Sequence, residues 1–110
     1  MDFKHKGLAG GRWFNLSFLE QMANIGSEVE RAIKLRNKKE FEYAKDTINR
    51  ALELLYLTIE DNKNKLHLKE ITRLRELLID YFYFDNQYNS SDEFWHKYFY
   101  CFNYRLNKDK

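Results

Sequence analysis

A chain of 110 residues, 44% of them hydrophobic and 33% charged, has the size and composition of one globular domain and is too apolar for a disordered tail. Its net charge of +2 allows a nucleic-acid partner without arguing for one. A single cysteine, Cys101, excludes an internal disulfide, and no apolar run approaches the roughly eighteen residues of a membrane-spanning helix.

Proline is absent, and three of the four glycines (Gly7, Gly10 and Gly11) lie at the start of the chain. Long helices reject interior proline, which lacks an N–H and clashes with the preceding turn. The composition therefore favours an all-α fold. The opening Met1-Asp2-Phe3-Lys4-His5-Lys6 carries no apolar stretch like that of a secretion signal, so a cytoplasmic protein is expected.

Residues 1–16 read as a short, irregular basic lead-in, residues 17–107 as the folded unit, and residues 108–110 as a tail. The first helix is predicted to start at Ser17, with Glu20 three residues on, which is the spacing of a capping box. Phe18, Met22, Ile25, Val29 and Ala32 follow at helical period on one face. Arg31, Lys34, Arg36, Lys38 and Lys39 complement the negative pole at its end. Gly26 sits in mid-helix, where it is costly unless a neighbouring element approaches closely.

A second helix is predicted from about Glu40 to Glu60, with Phe41, Ala44, Ile48, Ala51, Leu55 and Ile59 facing inward. The polar run Asp61-Asn62-Lys63-Asn64 ends it. A third is predicted from about Leu66 to Phe82, buried through Ile71, Leu74, Leu78 and Tyr81. Asp80 needs a partner among its apolar neighbours, and Arg12 and Arg75 are the candidates. After a turn over Asp85-Asn86-Gln87-Tyr88-Asn89, Ser90 and Glu93 have capping-box spacing, and a fourth helix runs from Ser91 to about Leu106. Short turns between long helices predict an up-down-up-down antiparallel four-helix bundle.

The last helix carries more aromatic surface than one buried face requires. Trp95, Tyr98, Phe99, Phe102 and Leu106 form its inward stripe. Tyr100 and Tyr104 fall roughly opposite, beside Lys97, and these three form a candidate protein interface. Lys63, Lys65, Lys69 and Arg73 make a basic stripe suited to nucleic-acid phosphates, although Glu70 and Glu76 interleave with it as on a solvated mixed-charge face.

Chemistry-bearing patterns are sparse. Glu93-Phe94-Trp95-His96 is one Glu-x-x-His step, whereas a di-iron bundle needs two such steps and two further glutamates. Cys101, between Tyr100 and Phe102, reads as a small buried hydrophobe. No nucleophile has an assigned base and the early glycines lack phosphate-loop spacing, so no catalytic residue, metal, cofactor or small-molecule substrate is expected.

The strings Gly11-Arg12-Trp13, Ala23-Asn24-Ile25-Gly26-Ser27-Glu28-Val29-Glu30-Arg31-Ala32, Arg50-Ala51-Leu52-Glu53-Leu54-Leu55 and Lys97-Tyr98-Phe99 resemble a family of small prokaryotic helical proteins, a resemblance that implies no activity. In size and helix number the chain is similar to HEPN domains, many of them RNA-cutting toxins, whose signature is an arginine with a histidine four to six residues further on. His5, His67 and His96 do not follow an arginine in that way. The architecture also resembles, at fold level alone, the basic RNA-binding accessory subunits of diversity-generating retroelements. Ala44-x-x-x-Ile48-x-x-Ala51 is similar to the second helix of a tetratricopeptide repeat, but without a second copy. The resulting expectation is a non-catalytic adaptor or accessory protein that self-associates or binds a protein partner. The alternative is an RNA- or DNA-binding accessory subunit, or a HEPN-like RNA-acting protein.

Overall fold

Capping and period place the first helix where expected. In the computed structural model, which describes residues 11–108, α1 spans Phe18–Asn37. Ser17 Oγ accepts the Glu20 amide at 3.1 Å while Glu20 Oε1 accepts the Ser17 amide at 2.9 Å. Two donors that the first helical turn leaves orphaned are thus satisfied. At the other end Lys39 takes a left-handed conformation with φ 64°. Its amide bonds Arg36 O and the Glu40 amide bonds Leu35 O, both at 2.9 Å, so the last carbonyls are closed off and the chain reverses.

The second helix, α2, spans Phe41–Glu60. Asp61 stops it, and its carboxylate accepts the Lys63 amide to open a 3-10 turn over Asn62–His67. α3 then spans Leu68–Tyr83 and α4 spans Asp92–Lys108. Among the described residues there are four α-helices and no strand, and they form the expected up-down-up-down bundle. α1 is its centre, packing most extensively against α2 and then against α4.

The core is built from the inward stripes. Met22, Ile25, Val29 and Ala32 of α1 meet Ile48, Ala51 and Leu55 of α2, Ile71, Leu74 and Leu78 of α3, and Trp95, Phe99 and Phe102 of α4. Burying this much apolar surface is what stabilises helices that are marginal alone. At Gly26 the α1 backbone lies directly against Phe99, which answers why a glycine occupies mid-helix. The core also reaches back beyond the first cap. Trp13, in a 3-10 turn over Trp13–Asn15, is buried with it, although the sequence placed this residue in the lead-in.

Several local expectations are corrected. The third helix starts at Leu68, not Leu66, because the 3-10 turn continues to His67, and Leu66 is left 97% exposed. Ser91, not Ser90, caps α4, its Oγ accepting the Phe94 amide at 3.0 Å. Ser90 is held instead by the Asn86 side chain, which accepts its amide and donates to its carbonyl, each at 2.9 Å. Asp80 pairs with neither Arg12 nor Arg75; its two oxygens accept the backbone amides of Gln87 at 2.9 Å and Tyr88 at 3.1 Å, tying the α3–α4 connection to the helix end. Phe41, at the first position of α2, is exposed and not part of the core. Cys101 is also exposed, on the outer side of α4, with Sγ 3.4 Å from Lys97 O. The proposed lead-in residues 1–10 and tail residues 109–110 lie outside the described residues.

Candidate functional site

The outer face of α4 follows from its helical period. With Trp95, Phe99 and Phe102 turned into the core, residues half a turn away must face out. Tyr100 and Tyr104 do so, 65% and 53% exposed, one turn apart with ring centroids 6.2 Å from each other. Lys97 stands one turn before Tyr100 and pairs with Glu93 at 3.1 Å, both side chains well exposed. The three predicted interface residues therefore share one exposed strip. Exposed tyrosines of this kind suit a partly wet contact, since the ring buries apolar area while the hydroxyl stays hydrogen-bonded.

The predicted basic stripe is less uniform. Lys65 and Lys69 are exposed and have no carboxylate partner among the described residues. Lys63 is committed to the fold, since its ammonium contacts the Asp61 carboxylate and donates to Phe14 O at 3.1 Å. Arg73 lies 4.4 Å from the Tyr88 ring and 3.5 Å from Glu76. Two of the four cations thus have roles within the chain.

Beneath Lys63 lies a buried polar network that the sequence did not reveal. Trp13 Nε1 donates to Thr58 Oγ1 at 3.0 Å, and Thr58 Oγ1 donates to Leu54 O at 2.7 Å. Gln21 Nε2 donates to Trp13 O at 3.1 Å and Asp61 Oδ2 at 2.9 Å. Asn64 Nδ2 donates to Gln21 Oε1 at 2.8 Å and Thr58 O at 3.0 Å. Gln21, Thr58 and Asn64 are fully buried, so these bonds meet desolvation costs that would otherwise be severe. Burial alone would push the Asp61 carboxyl up, but the bonds from Lys63 and Gln21 hold it below the usual carboxylate value.

A second polar cluster locks the opposite end. Asp92, first residue of α4, receives Arg36 and Asn37 from α1 and the Tyr81 hydroxyl from α3. Burial disfavours its charge, yet these three donors outweigh that and lower its pKa. The same bonds hold Arg36 up against burial, and Tyr81 is raised by burial and by donating to Asp92. Between α3 and α4, the half-buried Tyr98 reaches Glu70 at 3.3 Å; burial first, then the Glu70 charge, pushes its phenol up strongly.

Both histidines among the described residues have partners within the fold. His67 lies flat on Phe18 with ring centroids 3.9 Å apart, and His96 Nδ1 meets Glu30 of α1. Glu93 and His96 of the Glu-x-x-His step therefore turn to different partners. Among the described residues no cluster of three histidine, cysteine or acidic side chains has metal-holding geometry, and no helix is long and apolar enough to cross a membrane. A groove of about 420 Å³ opens between the end of α1, the start of α2 and the end of α3. Phe41, Ala44, Ile48, Phe82 and Tyr83 line it, with Arg36 and Lys45. No protein-family model, curated protein or solved structure matches this chain.

Proposed function

We propose that this chain is a non-catalytic helical-bundle subunit that acts by self-association and partner binding through the outer face of α4. The observation that carries the reading is the exposure of Tyr100 and Tyr104 as a neighbouring pair on a helix whose buried stripe is already filled by other aromatics. Neighbouring exposed rings make a contiguous apolar patch of the kind that marks an interaction site. The polar clusters at Asp61 and Asp92 fit a structural role, because each joins segments distant in sequence through hydrogen-bonded side chains. Light scattering on the purified chain tests the reading. A concentration-dependent dimer or higher oligomer is expected, and Tyr100→Glu with Tyr104→Glu returns it to monomer while helical circular dichroism is unchanged. A strict monomer at high concentration removes the proposal.

A second reading, nucleic-acid binding by an accessory subunit, rests on Lys65 and Lys69, which face solvent without carboxylate partners among the described residues. It predicts affinity for RNA or DNA that falls steeply with salt and weakens when both lysines are changed to glutamine. Binding that is unaffected by Lys65→Gln and Lys69→Gln excludes them.

A further inference from the structure

We infer that two copies of this chain pair through α4 in antiparallel orientation, about a two-fold axis passing between Tyr100 and Cys101; this rests on the self-association proposed above and assigns its geometry. The inference comes from how charge is distributed along the outer strip. Glu93 lies near the beginning of α4, Lys97 follows one turn later, Tyr100, Cys101 and Tyr104 occupy the middle, and Lys108 closes the helix. All of these side chains are exposed. The acidic end and the basic end are separated by about 22 Å at helical rise.

Parallel pairing would set each of these charges against its own copy: Glu93 beside Glu93, Lys97 beside Lys97, Lys108 beside Lys108. Like charges at an interface are strongly disfavoured. Antiparallel pairing reverses every one of those encounters. The midpoint between Glu93 and Lys108 falls between Tyr100 and Cys101, so one two-fold rotation brings Glu93 against Lys108 of the second copy. It also brings Lys97 over Tyr104 of the second copy, a cation on an aromatic face. The same rotation sets Tyr100 beside Cys101 of the second copy at the centre, where ring burial is greatest. An isologous contact of this kind repeats each favourable pair twice. The helix dipoles also oppose one another. The Glu93–Lys97 pair seen within one chain presents no obstacle, because both side chains are three-quarters exposed and such a pair is weak.

The experiment uses the full chain. On a Cys101→Ser background, Glu93→Cys and Lys108→Cys variants are prepared separately, mixed, and treated with a short-arm bismaleimide. Antiparallel pairing gives a cross-link between the two variants, and neither variant links efficiently to itself. In parallel, Glu93→Lys or Lys108→Glu weakens dimerisation by roughly three- to thirty-fold, and the two changes in one chain restore it. Self-linking of Glu93→Cys without the mixed product overturns the antiparallel geometry. A dimer that forms in light scattering yet ignores both charge reversals and gives no mixed product also overturns it, while leaving self-association intact. A chain that is monomeric before any substitution removes both.

Discussion

Gly26 of α1 and Phe99 of α4 touch so closely that a Cβ on the glycine would lie 2.8 Å from the Cβ, Cγ and Cδ1 of Phe99. Phe99 is buried and has little freedom to retreat. The contact sets how near the two helices come, and through that how the outer strip of α4 is presented. Gly26→Ala sets two effects against each other. Alanine favours the helix by about 1 kcal/mol, whereas overpacking a filled core costs about 1–3 kcal/mol. The overlap is expected to win, lowering stability by up to about 2 kcal/mol in urea unfolding. Phe99→Leu added to Gly26→Ala should recover part of that loss, and strictly additive effects would refute the contact as the cause.

Lys39 offers a change in the opposite direction. Its φ of 64° is unfavourable for a side chain bearing a Cβ, while the bonds it makes are those of a common helix-ending motif. Lys39→Gly should stabilise the protein by about 1 kcal/mol, visible as a higher thermal midpoint. A lower midpoint would show that the lysine charge at the helix end outweighs its backbone strain.

The buried network predicts an asymmetry between shape and polarity. Thr58→Val keeps the volume but leaves Trp13 Nε1 without its acceptor. The expected loss is about 1–3 kcal/mol. Tryptophan emission should also shift, because Trp13 is one of only two tryptophans. An unchanged stability would mean that the indole finds a new partner.

Acid should weaken the two polar clusters together. Asp61 and Asp92 both have depressed carboxyl pKa values in the folded chain, so their contribution is complete above the ordinary value of 3.8. It is lost as the pH falls below that value and through the depressed folded ones. Asp92→Asn should make stability less steep on pH in that acid range. It should also lower stability at neutral pH, since Arg36 loses its charged partner. Equal acid slopes for the two proteins would show that Asp92 does not carry this linkage.

Alkali probes the α3–α4 seam. The Tyr98 phenol is raised by burial and by Glu70, so its contribution is complete below the ordinary value of 10.0 and is lost as the pH rises through the folded one. Tyr98→Phe should flatten the decline in stability above pH 10.0. A decline that stays as steep would assign it to the other raised phenols, Tyr81 and Tyr83.

The amino-acid order by itself determined the helical class, the antiparallel bundle, the Ser17 capping box and the stripes that fill the core. These depend on spacing along one helix and on short turns, both local in the sequence. The outward pair Tyr100 and Tyr104 was legible for the same reason, since facing out is the consequence of Trp95, Phe99 and Phe102 facing in. Tertiary structure decided everything that joins distant residues. Trp13 and Asn64 enter the interior because Gln21 and Thr58 supply partners from other segments. Lys63 braces this network because Asp61 and Phe14 O lie within its reach. Asp92 becomes a lock because two other helices end beside it. A polar side chain looks solvent-bound in a sequence, and only the arrival of a complementary donor or acceptor across the fold makes its burial tolerable.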